Sequence, residues 1–352
     1  MGKIKVGIIG VGNISNVHIA GYLAREDVEL YAFCDINEKR LIEKGEKYGV
    51  TRLFTDYNEM LKLEEIDAVS VCTWNCVHAA ASIAALKAGK NVLCEKPMAM
   101  NAEQAFEMEK AAKESGKLLQ IGFVRRFGND AEILKKYIDN DELGEIYFAK
   151  ATYLRRHGTP GGWFVDKEKS GGGPLIDLGV HVIDLTRYLM GNPKPVSVYG
   201  ATFNKLGARS DLEKVTSYTS AEEKTEIVSD VEEAAVAMIR YDNGAVLLIE
   251  TSFELNLEKE EGKIEFFGTK AGASVNPQVK IFSDEHGRLT NISFNGDTSL
   301  SFECLFENEV SHFVNCVKTG CPTIAPASDG VEVMHILDAI YESAKNGHEV
   351  LI

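Results

Sequence analysis

"GIIGVGNIS" (residues 7–15) runs an apolar stretch straight into two glycines one residue apart and then into a helical pattern. Gly10 permits a tight turn at the end of a strand, and Gly12 lets the backbone approach a pyrophosphate. The helix that follows offers that anion free N–H groups and a favourable dipole. Asn13 and Ile14, at the start of that helix, join the glycines as expected cofactor contacts. The third position of the fingerprint is Ser15 instead of glycine, a residue still small enough for close helix packing. The next apolar run, "VELYAFCDI" (28–36), ends on Asp35, where an acid is expected to bond the ribose hydroxyls. A carboxylate there repels a 2′-phosphate, so NAD is the expected cofactor and NADP the alternative.

Working outward, "AVSVCTW" (68–74), "NVLCEKP" (91–97) and "LLQIGF" (118–123) are further short apolar runs. They alternate with amphipathic stretches such as "EKRLIEKGEKYG" (38–49) and "HAAASIAALKAG" (78–89). Strand and helix in alternation predict a doubly wound parallel sheet of the Rossmann type. After Gly122 the pattern changes. A helical stretch, "NDAEILKKYIDN" (129–140), precedes alternating runs that include "VSVYGATF" (196–203), "EAAVAMIRY" (233–241) and "AVLLIETSF" (245–253). Asn243-Gly244 marks a hairpin turn between the last two. The expectation is an α/β chain of two domains. Residues 1–121 bind the nucleotide, and residues 122–352 form an α+β substrate and oligomerisation domain with an open, mainly antiparallel sheet. The polar stretch 204–229 lacks a pattern and is expected to be a mobile loop or lid.

Composition is that of folded domains, with 45% hydrophobic and 26% charged residues. A net charge of −15 argues against nucleic acid and anionic membrane surfaces as partners. No apolar run reaches the roughly 20 residues that cross a bilayer, and the start reads as a strand, not as a signal peptide. Seven cysteines without metal-ligand spacing are expected to be reduced thiols in a cytoplasmic protein.

Two stretches carry the chemistry. In "NVLCEKPMAMNAEQA" (91–105), Glu95 and Lys96 stand at the carboxyl end of a predicted strand, the edge where open parallel sheets hold ligands. In "SGGGPLIDLGVHVID" (170–184), Asp177, His181 and Asp184 fall at i, i+4 and i+7, on one side of a predicted helix. Gly171, Gly172 and Gly173 are expected to bring that helix close to a bound ligand. Histidine suits proton removal from an alcohol near neutral pH, so His181 is the expected general base. Lys96 would stabilise the developing alkoxide, and Asp177 would orient His181 or a neighbouring hydroxyl. An Asp, His, Asp face can also hold a divalent metal, but no further ligand pattern surrounds it and no metal is expected. Arg155, Arg156, His157 and Trp163 are candidates for sugar hydroxyls, or equally for a surface loop with a packed indole.

Taken together, "GIIGVGNIS" with "CDIN", "CTWNCVHAAASIAALKAGKNVLCEKPMA", "GFVRRF", "GGGPLIDLGVHVIDL" and "YDNGA" resemble the glucose-fructose oxidoreductase, inositol dehydrogenase and MocA-like (Gfo/Idh/MocA) family. The resemblance implies that Lys96 is a catalytic lysine, Asp177 an acid and His181 a proton-transferring histidine. It also implies that Arg125 lines the substrate side and that Thr73 and Asn75 lie beside the nicotinamide. Trp74 departs from the proline that many members carry there. The implied activity is hydride transfer between a nicotinamide and a secondary alcohol of a sugar, cyclitol or sugar derivative, in a homodimer or homotetramer. The alternatives are an NAD-dependent glycoside hydrolase that oxidises its substrate only transiently, and a non-catalytic nucleotide-binding sensor.

Overall fold

The computed structural model of the chain describes residues 2–207, 209, 212, 220 and 229–352, Glu303 by its backbone alone. Most of the stretch 204–229, expected to be a loop or lid, lies outside the described residues. The chain divides into two compact units, Met1–Val124 with Phe302–Met334, and Arg125–Ser301 with His335–Ile352.

In the first unit, β1 (Ile4–Ile9), β2 (Val28–Cys34), β3 (Leu53–Phe54), β4 (Ala68–Val71), β5 (Asn91–Glu95) and β6 (Leu119–Gly122) form one sheet. Its order is β3-β2-β1-β4-β5-β6, and every pair is parallel. Helices follow the strands on both faces, so β4 and β6 are buried along their whole length and read as continuous apolar runs. Strand order reverses between β1 and β4, which puts the ends of these two strands at the switch point where such sheets bind ligands. One layer of this unit comes from far along the chain. The helix Phe302–Thr319 packs Val310, Phe313 and Val314 into the same core as Val6, Ile8, Ile19 and Tyr22. All seven side chains are essentially inaccessible to water.

The second unit is built on nine strands: β7 (Ile146–Leu154), β8 (Pro195–Phe203), β9 (Ala234–Tyr241), β10 (Val246–Ser252), β11 (Glu261–Gly268), β12 (Gly272–Val275), β13 (Lys280–Glu285), β14 (Arg288–Ser293) and β15 (Val350–Leu351). They lie in the order β14-β13-β12-β11-β7-β10-β9-β8-β15. The β7/β10 pair is parallel and the other pairs are antiparallel. Burial alternates along β9, with Ala235, Ala237, Ile239 and Tyr241 inside and Val236 and Met238 outside, the pattern of a sheet covered on one face. Gly244 turns the β9–β10 hairpin at φ +85°, and its N–H reaches the Tyr241 carbonyl.

The segment expected to be a plain helix over Asp177 and His181 is not one. Leu175–Gly179 forms a π turn, in which the Val180 N–H reaches back five residues to the Leu175 carbonyl, and a regular α-helix follows over Val180–Leu189. Such turns are rare within helices and concentrate at functional sites.

Candidate active site

In the first unit the glycine turn is held by its own backbone. Gly10, at φ +85°, donates to the Cys34 carbonyl, and a Cβ added there would lie 2.6 Å from the Cys72 carbonyl oxygen. Only glycine fits so close to the end of β4. Gly12 differs, because a Cβ there would meet no atom within 4 Å. Packing does not require a glycine at that position, whereas a pyrophosphate laid against the backbone does. The helix Ser15–Leu23 begins beside it without a side-chain cap at Ile14, and the Ser15 hydroxyl donates to the Gly12 carbonyl at 2.7 Å. Exposed Asn13 and half-buried Ile14 complete the turn. A dinucleotide therefore suits the shape and the donor set of this end of the sheet.

Asp35 is buried, and its carboxylate is fully engaged. Oδ2 accepts from the Val11 N–H at 2.8 Å and from Arg40 Nε at 3.2 Å. Oδ1 accepts from the Asn37 N–H at 2.8 Å and from Arg40 Nη2 at 2.9 Å. The acid thus pins the end of β2 to the glycine turn and neutralises the arginine one helical turn further on.

At the end of β5, Glu95 is buried and half-buried Lys96 follows, joined to Pro97 by a cis peptide bond. Glu95 Oε1 lies 2.7 Å from His18 Nε2, and Oε2 accepts the Lys96 N–H at 3.1 Å. Burial alone would raise the Glu95 pKa, but the hydrogen bond and charge of His18, with Lys96 beyond it, hold it below the usual carboxylate range. His18 Nδ1 contacts the Ser70 hydroxyl, which meets the Tyr22 hydroxyl at 2.7 Å. His78 spans the next gap, with Nδ1 2.8 Å from the Pro97 carbonyl and Nε2 3.2 Å from the Thr73 carbonyl. Burial pushes its pKa down. Half-buried Thr73 and Trp74 and buried Asn75 stand where the helix Asn75–Lys87 begins.

In the second unit every residue from Gly172 to Arg187 is buried except Asp177 and His181, which are half-buried. Asp184 does not share their setting. It lies with Arg126 in a buried ion pair, at 2.6 Å from Nη2 and 3.0 Å from Nε, so the expected Asp, His, Asp face reduces to two residues. The glycines ahead of them also serve the protein itself. A Cβ at Gly172 would lie 2.0 Å from the Tyr341 hydroxyl, and one at Gly173 would lie 2.2 Å from the Glu232 carbonyl oxygen. Glu232 Oε1 accepts from the N–H groups of Gly173 and Leu175 and from the Tyr341 hydroxyl, at 2.9–3.1 Å. Burial raises its pKa against the pull of these donors.

A cavity of about 390 Å³ within this unit is lined by Arg125, Arg155 and Val182, with Tyr153, Glu260 and Lys263 among the other walls. Arg125 is held by Asp130 at 3.2 Å. Trp163 stacks on Phe164 at 3.9 Å, and neither it nor Asp177 or His181 lines that cavity. His157 is buried, with Nδ1 2.7 Å from a Glu254 carboxylate oxygen. The residues that sequence reading missed, His18, Arg40, His78, Arg126 and Glu232, act through partners 5 to 77 positions away in the chain. Local spacing gives no sign of such pairs.

Two family models match nearly the whole chain: an oxidoreductase family NAD-binding Rossmann fold over residues 4–123, and its C-terminal alpha/beta domain over residues 135–352. D-glucoside 3-dehydrogenase of Escherichia coli (strain K12) is 36% identical over 350 residues, spanning 99% of this chain and 97% of that protein. Myo-inositol 2-dehydrogenase of Thermotoga maritima is 28% identical over 337 residues, 93% of this chain and 92% of its own length. Among solved structures, an oxidoreductase domain protein from Kribbella flavida superposes with a TM-score of 0.88 at 22% identity, each chain fully covered. Levoglucosan dehydrogenase in complex with NADH has a TM-score of 0.86 at 24% identity over 99% of both chains. The glycine turn closed by a buried acid, the Glu95-Lys96-Pro97 strand end and the glycine-led segment before His181 thus belong to a chain that is a member of the Gfo/Idh/MocA family of oxidoreductases.

Proposed function

We propose that this protein oxidises a secondary hydroxyl of a sugar, glucoside or cyclitol, with NAD as hydride acceptor and NADP as the weaker alternative. The observation that carries this reading is the exposure pattern of residues 172–187, where the chain buries everything except one carboxylate and one imidazole. Two polar groups left half-exposed on an otherwise buried segment suit a ligand rich in hydroxyls better than they suit packing. The relatives named as glucoside and inositol dehydrogenases support the substrate class.

In this reading His181 accepts the hydroxyl proton, because imidazole exchanges protons near neutral pH. Asp177 orients His181 or a neighbouring hydroxyl. The Lys96 ammonium stabilises the negative charge that builds on the substrate oxygen. Gly10, Gly12, Asn13, Ile14, Asp35, Thr73, Asn75 and Glu95 hold the dinucleotide, which when bound supplies the hydride acceptor. Arg125 and Trp163 contact the sugar. Residues 1–121, with the helix Phe302–Thr319 that completes their core, form the nucleotide domain, and the rest of 122–352 forms the substrate and subunit-contact domain. Tyr199, Met238 and Leu248 lie in one cross-strand row on the less buried face of the nine-stranded sheet, a surface suited to pairing copies as dimers or tetramers. All seven cysteines are free thiols, in keeping with a cytoplasmic setting.

The test is net NADH absorbance with NAD and a panel of methyl glucosides, aldoses, uronates and inositols, repeated with NADP. Sustained NADH formation with at least one polyol is expected. Cleavage of a glucoside without net NADH would transfer the protein to the hydrolase reading, and nucleotide binding without turnover on any polyol would make it a sensor. His181→Ala and Lys96→Ala should each lower kcat by about 10²–10⁴-fold while the Kd for NAD holds. Unchanged turnover in either variant removes that residue from the chemistry.

A further inference from the structure

The helix Phe302–Thr319 ends on Gly320, at φ +71°, whose N–H reaches the Cys316 carbonyl at 2.8 Å. A left-handed cap of this kind folds the next residue back over the last helical turn, where an apolar contact usually forms. Here both positions of that contact are cysteines. The Cys321 and Cys316 sulfurs lie 3.4 Å apart as free thiols. Cys321 is exposed and Cys316 is 2% exposed, so solvent reaches one sulfur and not the other.

A third group completes the arrangement. His312, one helical turn before Cys316, places Nε2 3.4 Å from the Cys316 sulfur. The same nitrogen accepts the Ile324 N–H at 3.2 Å, which identifies it as the unprotonated, basic nitrogen of the ring. Burial holds the His312 pKa below its ordinary value, and burial, followed by the neighbouring Cys321, pushes Cys316 up to about 12. Cys321 shifts the other way, because the Thr319 hydroxyl, and then the Cys316 thiol, hold it below the ordinary thiol range.

We propose that Cys321 and Cys316 form a hydroperoxide-reactive dithiol, with Cys321 as the attacking thiolate, Cys316 as the resolving thiol and His312 as the base that takes the Cys316 proton. Cys321 sulfur attacks the peroxide, an S–O bond forms as the O–O bond breaks, and hydroxide (or alkoxide) leaves. The peroxide is reduced and Cys321 becomes a sulfenic acid. Cys316 then passes its proton to His312 as its sulfur attacks Cys321. The S–S bond forms, the S–O bond breaks, and the departing hydroxide takes the proton from His312 to give water. The product is a disulfide that a dithiol reductant reverses. Cys304, exposed on the same helix, is an internal control.

The experiment treats the reduced full-length protein with an equimolar amount of hydrogen peroxide, alkylates the remaining thiols and maps them by mass spectrometry. The expected result is loss of two of the seven thiols as a Cys316–Cys321 disulfide, with both thiols recovered in dithiothreitol. Cys321→Ser should slow thiol loss by about tenfold or more. Cys316→Ala should leave a sulfenic acid on Cys321 that dimedone traps, and His312→Asn should let that acid accumulate before the disulfide closes. Circular dichroism checks that each variant is folded. Oxidation of Cys304 ahead of Cys321, conversion of Cys321 to sulfinic acid while Cys316 can still be alkylated, or no thiol loss at all would overturn the proposal.

Discussion

Asp35 illustrates how much one carboxylate settles. Two oxygens offer about four lone-pair positions, and two backbone N–H groups and two guanidinium nitrogens fill them. A ribose hydroxyl that binds Asp35 must therefore displace one of these donors, and Arg40 is the one on a side chain that can swing away. In Asp35→Ala the arginine is released and the repelling charge is gone. The ratio of NADP to NAD affinity should rise by about tenfold or more, the equivalent of roughly 1.4 kcal/mol. Titration of both cofactors checks this, and an unchanged ratio would place the ribose away from Asp35. Arg40→Ala should leave NAD binding intact and abolish the gain when combined with Asp35→Ala. That combination assigns the discrimination to the pair and not to the acid alone.

At the scale of elements, two glycines that look alike in sequence do different work. A Cβ at Gly12 meets nothing, so Gly12→Ala should leave the melting temperature nearly unchanged and weaken NAD binding. A Cβ at Gly173 meets the Glu232 carbonyl oxygen at 2.2 Å, so Gly173→Ala should destabilise the fold by about 3 kcal/mol before any ligand is considered. Calorimetry with and without NAD separates the two effects, and equal stability losses would refute the distinction. The glycine turn and Asp35 were legible because strand, turn, helix and acid follow one another within 35 residues, in the order that pyrophosphate binding needs. The role of the second glycine cluster was not legible. Its partners, Glu232 and Tyr341, lie 59 and more residues away, so local spacing, which suggested room for a ligand, could not show that these glycines also make room for the chain itself. The π turn was hidden for a related reason. Residues at i and i+4 share a side in either helical form, so spacing alone cannot show that Leu175–Gly179 widens.

For the molecule as a whole, a helix from near the end of the chain completes the unit with which the chain begins, and local patterns cannot announce such a return. The sequence places the helix Phe302–Thr319 in the second domain, within 122–352, yet it buries Glu309 in the unit that holds His18 and Glu95. Among the described residues, neither Glu309 carboxylate oxygen has a hydrogen-bond partner. Burial, followed by the charge of Glu95, raises its pKa well above the carboxylate range. The folded protein therefore keeps a proton on Glu309 that the unfolded chain releases once the pH passes the ordinary carboxylate value. Its contribution to stability is fully present below that value and is lost as pH rises toward the raised one, with a slope approaching about 1.4 kcal/mol per pH unit. Glu309→Gln, always neutral and nearly the same shape, removes this dependence. The variant should match the parent in urea midpoint near pH 4 and exceed it increasingly as pH rises above that, whereas a parent that stays level with Glu309→Gln would show that the buried carboxyl ionises freely in the folded state.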